Sequence, residues 1–450
     1  GQEVERIKDV GDCWLDAGIV PFSTLGYFED KNYWNKWFPA DLEIEMRAQV
    51  RLWFYAQLFM SVVLEGVAPY RRILAYEEVR DEKGAPMHKS MGNAIWFDEA
   101  VQKMGADVMR WQYCIQNPQF NLNFGYGPAK DIQRNLLVIQ NLANYVKQNC
   151  NKLGKQGSKD LASLWILSRR ENLKLNVTKH LEALEYHKAM EQIKNFLLFD
   201  LSKTYVQFIR DALDNPKVQK VLHSTYFDAI TLLAPFLPFF TEKINLEVYS
   251  KESIHLQMWP KADKKLINIK LEAAMQECSI IVQALMAARD KVSMSVRWPL
   301  KKAVVYLHKD HKKIKSNIKD LIKLILKQAN LKSLEFKIVD KTLDEKLQGF
   351  PFQYGHVVLD TELSKDLESE GFSRELVRRI QDLRKKAALI KDDLIDLFVE
   401  LEFDIGKNIN DVKRKTGAKS VGFKMVKAEF YEEGFIKDKK FRIGFNIHKK

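Results

Sequence analysis

The stretch RILAYEEVRDEKGAPMHKSMGN, residues 72–93, joins a short apolar run to a polar loop. The run at residues 72–76 lies among amphipathic stretches, a pattern that indicates a strand in a mixed α/β domain. The loop at residues 84–93 has a turn-like Gly-Ala-Pro, then Met-x-Lys-Ser and Gly-Asn. A loop with a lysine and a hydroxyl on a backbone loosened by glycine can close over a triphosphate. Taken alone, the loop fits a solvated turn at least as well.

Lys89 is the candidate for chemistry in this loop. Its ammonium group would offer a point charge to phosphate oxygens, and nearby backbone N–H groups would add donors. Negative charge accumulates on those oxygens during transfer, so a cation held there stabilises the transition state. The sequence therefore offers two interpretations of the loop, a nucleotide-closing loop and a polar connection.

The charge of the chain is unevenly distributed. Residues 1–127 hold 13 Lys and Arg against 18 Asp and Glu, whereas the remainder holds 59 against 41. A basic region attached to a mildly acidic one indicates a polyanionic partner for the basic part. The alternative is an ordinary lysine-rich solvated surface.

The four cysteines lie far apart and form no CxxC or Cys/His cluster. The sequence therefore predicts neither a zinc site nor a disulfide framework, and reduced cytosolic thiols are the default. The apolar runs at residues 52–64 and 227–240 are predicted to be buried helices rather than membrane spans. The charged start is unlike a signal peptide, and the lack of an initial Met suggests a partial chain.

Composition changes twice along the chain, which predicts three domains at 1–127, 128–260 and 261–450. The first is aromatic-rich mixed α/β, the second is a helical bundle by its three- and four-residue apolar spacing, and the third is again mixed. The pattern predicts helices over 131–149, 161–175, 180–214, 217–249, 263–292, 312–329 and 363–388. It predicts strands over 302–308, 333–339, 395–403, 428–431 and 441–447. No internal repeat is found.

Six short segments follow one another in the first domain. They are WLDAG (14–18), FPAD (38–41), RLWF (51–54), PMHKS (86–90), GN (92–93) and GADVMR (105–110). In this order and spacing they resemble the second half of the class I aminoacyl-tRNA synthetase catalytic domain, in its isoleucine, valine and leucine branch. Residues 233–242 and 253–260 look like the end of that family's helical anticodon-binding domain. Residues 296–300 and 378–384 look like the C-terminal extension of its isoleucine-specific members.

The resemblance implies an α/β plus all-α architecture: the C-terminal half of a Rossmann-type catalytic domain, an anticodon-binding bundle and a mixed α/β extension. It implies a ligase that activates isoleucine with ATP, accompanied by Mg²⁺, and transfers it to tRNA(Ile) in the cytoplasm, with no membrane partner. A valine or leucine enzyme and a non-catalytic tRNA-binding module are the alternatives. No H-I-G-H motif, first Rossmann half or editing domain occurs. The chain is therefore expected to need a missing N-terminal half, and alone to be inactive and unable to proofread.

Site residues carry over from the family motifs position by position. Lys89 and Ser90 match the second Lys and last Ser of the signature loop, so the resemblance implies that Lys89 stabilises the departing pyrophosphate. Met87 matches the loop as well, and with His88 it is expected beside ATP or the adenylate.

A second set of carried-over residues lies upstream. Glu45 and Gln49 match polar positions that contact the adenylate, and Trp14 and Trp53 match the walls of the amino-acid side-chain pocket. Flat apolar faces suit a branched aliphatic side chain, although core packing explains both tryptophans equally well. The four-residue spacing of Glu45, Gln49 and Trp53 predicts one shared helix face.

Several positions depart from the family pattern. Pro86 replaces the first Lys of the loop and His88 its first Ser, while Ala48 replaces an Asp. Proline removes a charge and stiffens the backbone, and histidine is mostly neutral at pH 7. These departures put the catalytic rate, more than the fold, in question.

Basic and aromatic residues of the second and third domains are candidates for tRNA contact, through phosphates and unstacked bases. Trp298 is expected either to stack on a base or to pack under Pro299. The candidates are Arg134, Lys147, Lys152, Arg169, Arg170 and Arg210 in the second domain, and Arg297, Trp298, Arg378, Arg379 and Arg384 in the third.

Overall fold

The computed structural model places the apolar run of residues 72–76 in a parallel strand pair. β1 (Glu43–Met46) pairs with β2 (Ile73–Tyr76), and β3 (Val79–Asp81) pairs with β4 (Leu122–Phe124), both in parallel. The structure describes residues 13–249, 252–340, 349–390, 393–424 and 427–448, together with Glu3, Glu5 and Lys8. They form two compact units, residues 1–267 and 268–450.

Six helices accompany these strands, which confirms the mixed α/β character of the first region. Phe22, Trp34 and Phe38 form a small aromatic core, in which the Trp34 and Phe38 rings stack with centroids 4.2 Å apart. The helices are α1 (Cys13–Gly18), α2 (Val20–Ser23), α3 (Lys31–Trp37), α4 (Trp53–Glu65), α5 (Phe97–Met104) and α6 (Ala106–Ile115).

Helices alone make up the rest of the first unit between residues 126 and 248. They are α7 (Tyr126–Asn149), α8 (Leu161–Glu182), α9 (Tyr186–Asn195), a π-helical continuation (Phe196–Tyr205), α10 (Val206–Ile209), α11 (Pro216–Leu233) and α12 (Pro238–Val248). The prediction of one helix over 217–249 is wrong, because prolines at 235 and 238 end α11 and start α12. Within the described ranges, no helix is both long enough and apolar enough to cross a bilayer.

The described residues of the second unit form two four-stranded sheets. The first has the order β6-β5-β8-β7 and the second β10-β9-β12-β11. Their strands are β5 (Leu300–His308), β6 (Leu331–Val339), β7 (Phe350–Phe352), β8 (Gly355–Leu359), β9 (Ile395–Leu401), β10 (Ala418–Gly422), β11 (Phe430–Ile436) and β12 (Lys439–Ile447). The helices are α13 (Ile269–Lys291), α14 (Ile314–Asn317), α15 (Ile322–Ala329), α16 (Lys365–Lys386) and α17 (Ile409–Thr416).

The two sheets repeat one topology. In each, a long helix precedes a strand, a helical crossover leads to a parallel neighbour, and a hairpin then adds its second strand antiparallel to the first. We call residues 269–359 the first copy and residues 365–447 the second copy. The expectation of no internal repeat is therefore wrong at the level of structure, since the copies share topology with little sequence identity.

Each long helix has a buried arginine near its end, at equivalent positions of the two copies. Arg289 on α13 and Arg384 on α16 are 1% and 4% exposed and lie 95 positions apart. Four residues after each comes a non-glycine residue with positive φ, Ser293 at 53° and Ala388 at 55°. Eleven residues after each, the first strand begins, at Leu300 and at Ile395.

The turn that leads into the second strand is also repeated. Asn330 and Gly417 end the crossover helices in the left-handed conformation, with φ of 49° and 66°. The carbonyl of Asn330 accepts from the Leu300 N–H at 3.1 Å, and that of Gly417 accepts from the Ile395 N–H at 3.1 Å.

The 95-residue offset between Arg289 and Arg384 also relates the buried faces of the two long helices. These faces are formed by Cys278, Ile281, Leu285 and Ala288 in α13, and by Ser373, Leu376, Ile380 and Leu383 in α16.

The sequence predicted most elements of this unit but not all. The strands β7, β8 and β10 and the helix α17 were missed, and the single helix over 312–329 is broken into α14, a turn at Lys319–Leu321 and α15. These missed segments are short, and a short segment gives too few residues to establish a period.

Candidate active site

Glu45 lies at the carboxyl end of β1, beside the carboxyl end of β2. In the parallel register Glu45 is opposite Ala75 and Met46 is opposite Tyr76. The Glu45 carboxylate accepts hydrogen bonds from the Tyr76 hydroxyl at 3.1 Å and from the Met46 N–H at 2.8 Å. Open α/β sheets bind ligands outside the carboxyl ends of their strands. Glu45 therefore lies at the edge of the strand pair where sheets of this kind bind ligands.

The predicted helix face of Glu45, Gln49 and Trp53 does not exist. Glu45 belongs to β1, Gln49 to a 3₁₀ turn over Arg47–Arg51, and Trp53 opens α4. The Gln49 side-chain oxygen accepts from the Trp53 backbone N–H at 3.2 Å, which satisfies one of the unpaired donors of the first turn of α4. The prediction failed because four-residue spacing is equally compatible with a strand that runs through a turn into a helix.

The two predicted pocket tryptophans lie on a pair of helices in close contact. Trp14 is on α1, and the Trp53 indole N–H donates to the carbonyl of Ala17, also on α1, at 3.1 Å. A Cβ at Gly18 would lie 2.8 Å from the backbone carbon of Ala56 on α4. Glycine at position 18 is therefore what lets α1 approach α4. Both tryptophans are half-buried.

Glu43 is a polar residue of this region that the sequence did not single out. Burial raises the pKa of its carboxyl to about 7, although a hydrogen bond from Gln57 lowers it in part. With its amide oriented to satisfy its neighbours, Gln57 donates to Glu43 at 2.8 Å and accepts from the Trp53 indole at 3.2 Å. Gln57 is 1% exposed. A single glutamine inside the apolar run of residues 52–64 was the signal that could have found this contact.

The signature loop begins on a turn organised by Asp81. One oxygen of the Asp81 carboxylate accepts from the backbone N–H groups of Lys83 at 3.0 Å and Ala85 at 2.8 Å. Between them, Gly84 adopts φ of +85°, a conformation that favours glycine. Hydrogen bonds, chiefly that from Asn93, hold the pKa of Asp81 below its usual value.

The Asn93 side chain links the end of the loop to its start through three hydrogen bonds. Its amide nitrogen donates to the second Asp81 oxygen at 3.0 Å and to the Pro86 carbonyl at 2.9 Å, and its oxygen accepts from the His88 N–H at 3.0 Å. One side chain thus ties three points of the loop together. Asn93 was quoted in the sequence motif but not predicted as a site residue.

Lys89 stands on the outside of this fastened loop. It begins a 3₁₀ turn, Lys89–Met91, which Gly92 ends with φ of +69°. Lys89, Ser90 and His88 are exposed, and the Lys89 ammonium lies 4.6 Å from the centre of the Trp96 ring. The geometry leaves the Lys89 charge available to an anion. Pro86, which lacks an N–H, contributes its carbonyl to the loop.

Metal-binding side chains are not gathered anywhere in the part of the chain that the structure describes. It contains no group of three or more His, Cys, Asp or Glu residues that could hold an ion. The four cysteines are free thiols, and burial raises the pKa of Cys150 and of Cys278 to about 12. These two thiols are therefore protonated at neutral pH.

Two known families match the chain. Residues 1–124 match the tRNA synthetases class I (I, L, M and V), and residues 163–305 match the anticodon-binding domain of tRNA ligase. The chain therefore contains domains of the class I tRNA synthetases. It combines a fragment of the synthetase catalytic domain with an anticodon-binding domain, as the sequence motifs predicted.

Isoleucine–tRNA ligases are among the proteins similar to the chain. That of Pyrococcus horikoshii is 30% identical over 96% of this chain and 48% of its own length. That of Archaeoglobus fulgidus is 29% identical over 99% of this chain and 50% of its own length. The chain thus spans about half the length of the curated relatives it matches. A crystal structure of an Agrobacterium radiobacter K84 LeuRS–tRNA–LeuAMS complex covers 57% of this chain and 33% of its own, at 18% identity and a TM-score of 0.49.

In the helical region, the predicted arginines differ in availability. Arg134 is exposed and pairs with Asp131 at 2.8 Å, and Arg169 pairs with Asp200 at 2.9 Å. Arg170 is instead half-buried, with its side chain only 12% exposed, between Glu171 and Asp228. Burial and pairing make Arg170 a structural residue, against its predicted role in tRNA contact.

Arg170 is one member of a buried network of four charges. The Lys174 ammonium contacts Asp228 at 2.6 Å and Glu171 at 3.3 Å, which balances two cations with two anions. Glu171 also accepts from the Asp263 N–H at 2.9 Å, so the network fixes the segment that leaves the helical region. Such a network is costly to break at one partner, since the remaining charge is left buried.

Two candidates in the second unit are core residues. Trp298 is 5% exposed and packs with Phe372 and Leu376 of α16 rather than under Pro299, so its ring is buried and not available to stack on a base. Arg384 is buried and donates to the carbonyls of Ile390 at 2.8 Å and Asp393 at 3.0 Å, so it too is structural. Both were predicted from residue type, which carries no information on burial.

The remaining candidates of the second unit are half-buried and paired. Arg297 contacts Glu375 at 3.4 Å, Arg378 contacts Asp382 at 2.8 Å, and Arg379 contacts Glu432 at 3.2 Å. Each pair would have to open or be shared before its guanidinium bound a phosphate.

Proposed function

We propose that this chain is part of an isoleucine–tRNA ligase. The proposal is supported above all by the signature loop, which Asn93 and Asp81 fasten so that the Lys89 ammonium is exposed. The similarity to isoleucine–tRNA ligases along 96% of the chain supports isoleucine over valine or leucine. The complete enzyme would act in the cytoplasm on isoleucine, ATP and tRNA(Ile).

The proposed reaction has two steps. A carboxylate oxygen of isoleucine attacks the α-phosphorus of ATP, which arrives with Mg²⁺ as part of the substrate, and pyrophosphate leaves. Lys89 stabilises the charge that develops on the departing phosphates, with Ser90, Met87 and His88 on the same loop beside the nucleotide. A terminal hydroxyl of tRNA then attacks the acyl carbon, and AMP leaves.

The remaining site residues hold the amino acid and the adenylate. We propose that Glu45, at the carboxyl edge of the β1–β2 pair, and Gln49 contact the adenylate. Trp14 and Trp53 would provide the apolar walls for the isoleucine side chain, since α1 and α4 bring them onto one helix pair.

Another part of the protein would complete this site. The outer side of α4 exposes apolar residues, and so do the adjoining strands at Ile44 and Ile73. Parallel sheets are stable when both faces are covered and when they contain more than two strands. We propose that the N-terminal half of the catalytic domain covers this face. The exposed apolar residues of α4 are Tyr55, Leu58, Phe59, Val62, Val63 and Leu64.

The domain assignment follows the same proposal. Residues 1–127 would form the C-terminal half of the catalytic domain, residues 128–260 the anticodon-binding domain, and residues 261–450 the extension. Exposed Arg134 and half-buried Arg169 would reach tRNA phosphates by exchanging their carboxylate partners.

Isoleucine-dependent exchange of pyrophosphate into ATP by the full-length protein tests the catalytic claim. We expect Lys89→Ala to lower the exchange rate roughly a hundredfold or more, because it removes a cation from the transition state. The KM for isoleucine should change less than about twofold, since Lys89 does not touch the side-chain pocket. Lys83→Ala, an exposed lysine at the start of the same loop, is the matched control and should leave exchange unchanged.

Two outcomes would contradict the proposal. Equal losses of exchange rate and isoleucine affinity in Lys89→Ala would make Lys89 structural. Binding of tRNA by the full-length protein with no exchange for isoleucine, valine or leucine would favour the alternative, a non-catalytic tRNA-binding module. Pro86 and His88 favour this alternative, because they occupy the positions where the family's signature loop has Lys and Ser. Exchange with valine or leucine in preference to isoleucine would reassign the substrate.

A further inference from the structure

The two copies in the second unit share a fold but not a surface charge. From the start of the first strand to the end of its parallel neighbour, residues 300–339 contain 11 lysines against three acidic residues. The corresponding residues 395–422 of the second copy contain five basic and five acidic residues. Because the second copy adopts the same topology without the excess, the lysines of the first copy are not required by the fold.

Most of these lysines are exposed on the crossover between β5 and β6. Three lysines of the first copy form ion pairs at 2.6–2.7 Å: Lys302 with Glu335, Lys309 with Asp340 and Lys332 with Glu370. Five others are exposed and are called the crossover lysines: Lys312, Lys313, Lys315, Lys319 and Lys323. The crossover lysines make no ion pair within the residues that the structure describes.

The crossover turns its lysines outward for a structural reason. Leu321 and Ile325 are buried, whereas Lys319 and Lys323, at four-residue spacing, are exposed. The apolar residues hold α15 and the turn before it in the core of the copy, so the other side of the same helical stretch carries the ammonium groups. Two charges thus project from one surface at a fixed spacing.

The chemistry of this surface selects the kind of anion it binds. Residues 300–339 contain lysine but no arginine. An ammonium group is a point charge suited to a single phosphate oxygen, whereas the planar guanidinium fork is what reads guanine edges or binds carboxylates in two-point contact. A lysine-only surface therefore fits a phosphate backbone without reading its sequence.

We infer that the crossover lysines bind the phosphate backbone of tRNA and that the second copy does not. This inference rests on the proposed function for the identity of the RNA, and it adds a contact surface outside the bundle. In the second unit, the crossover lysines rather than Trp298 and Arg384, which are buried, would supply the affinity for RNA.

The salt dependence of tRNA binding by the whole chain tests the inference. Each phosphate contact contributes a slope of about one to the dependence of log affinity on log salt. We expect Lys319→Gln/Lys323→Gln to reduce that slope by about two and to weaken binding roughly tenfold or more near 0.1 M salt. Glutamine keeps nearly the same helix propensity as lysine, so the helix should persist.

The second copy supplies the matched control. Lys413→Gln/Lys415→Gln removes the same charge from exposed positions of α17, the equivalent crossover helix. We expect its slope and affinity to stay within about twofold of the unsubstituted chain. Circular dichroism of both variants checks that helix content is retained.

The outcomes separate this inference from the proposed function. If the unsubstituted chain binds tRNA but both double variants lose the same slope, or neither loses any, the inference fails and tRNA binding stands. If the unsubstituted chain does not bind tRNA, the RNA-binding part of the proposed function fails and this inference fails with it. Binding to anionic phosphatidylserine vesicles with none to tRNA would assign the surface to a membrane and overturn the inference.

Discussion

The first and second copies of the second unit differ in the number of hydrogen bonds that their buried arginines, Arg289 and Arg384, donate. Arg289 donates to four carbonyls, those of Ala329, Asn330, Trp298 and Ser295, at 2.9–3.3 Å. Arg384 donates to two, and its Nη1 is buried without a partner among the described residues. Burial lowers the pKa of Arg289 to about 10 and shifts that of Arg384 in the same direction. The position of the arginine is kept in both copies, but its hydrogen bonds are complete only in the first.

The contacts common to both copies define the repeated fold. Both copies retain the arginine, the left-handed turn and the apolar face of the long helix, although their surfaces have diverged in charge. Arg289 ties the end of its helix to a turn distant in sequence, at Ala329 and Asn330, which local patterning cannot show. Arg384 ties the end of its helix to the loop that follows it, at Ile390 and Asp393. Substitutions at three pairs of equivalent positions are expected to affect the two copies differently.

The largest effect is expected at the arginines. Arg289→Ala leaves several buried carbonyls without a donor and should lower the local unfolding free energy by about 4 kcal/mol, since each unpaired buried group costs about 1–3 kcal/mol. Arg384→Ala should cost about half as much, because it loses two bonds rather than four. Hydrogen exchange of residues 269–359 and 365–447, read separately by peptide, measures each copy. Arg414→Ala, an exposed arginine of the second copy, is the control and should change neither.

Equal losses from Arg289→Ala and Arg384→Ala would contradict this account. The number of carbonyl partners would then not determine what the buried arginine contributes.

A smaller effect is expected where the first copy enters the core of the second. A Cβ at Gly371 on α16 would lie 2.3 Å from the Trp298 ring, which is itself buried. Gly371→Ala should therefore displace the indole and cost about 2 kcal/mol, as overpacking does. Gln276, which occupies the equivalent position of α13 95 residues earlier, is exposed. Gln276→Ala should be neutral in thermal unfolding, and a comparable loss there would show that the copies do not differ at this contact.

The smallest effect is expected at the left-handed turn. Gly417→Ala should cost about 1 kcal/mol, because φ of +66° is unfavourable for a residue with a Cβ. Gly417→Asn, which introduces the first copy's residue Asn330, should cost less, since asparagine tolerates this conformation. Thermal unfolding of the two variants gives the order, and a reversed order would show that the turns are not equivalent.

The sequence predicted the family and much of the fold because both depend on local information. The six ordered motifs lie within 97 residues, 14–110, and the long helices each contain enough turns to show their period. The loop was recognised for the same reason, since Lys89, Ser90 and Asn93 are close neighbours in the chain.

The sequence failed where contacts are distant. The partner of Trp298 is Gly371, 73 residues away, and nothing in the motif VRWPL shows that its indole is buried. Glu43 and Gln57 meet only because α4 packs beside β1. The repeat escaped notice because what it preserves is an arginine, a turn and a spacing, which leave few identical residues to align.

The three bonds of Asn93 have a consequence for the entropy of loop closure. Ordering one backbone residue costs about 1–2 kcal/mol, so a loose ten-residue loop that closed on a nucleotide would lose much of its binding energy. Here the backbone at Pro86 and His88 is already held by one amide and anchored to Asp81. Only the short turn that carries Lys89 and Ser90 is left to settle, so nearly all of the attraction between the lysine and a phosphate would be retained as affinity.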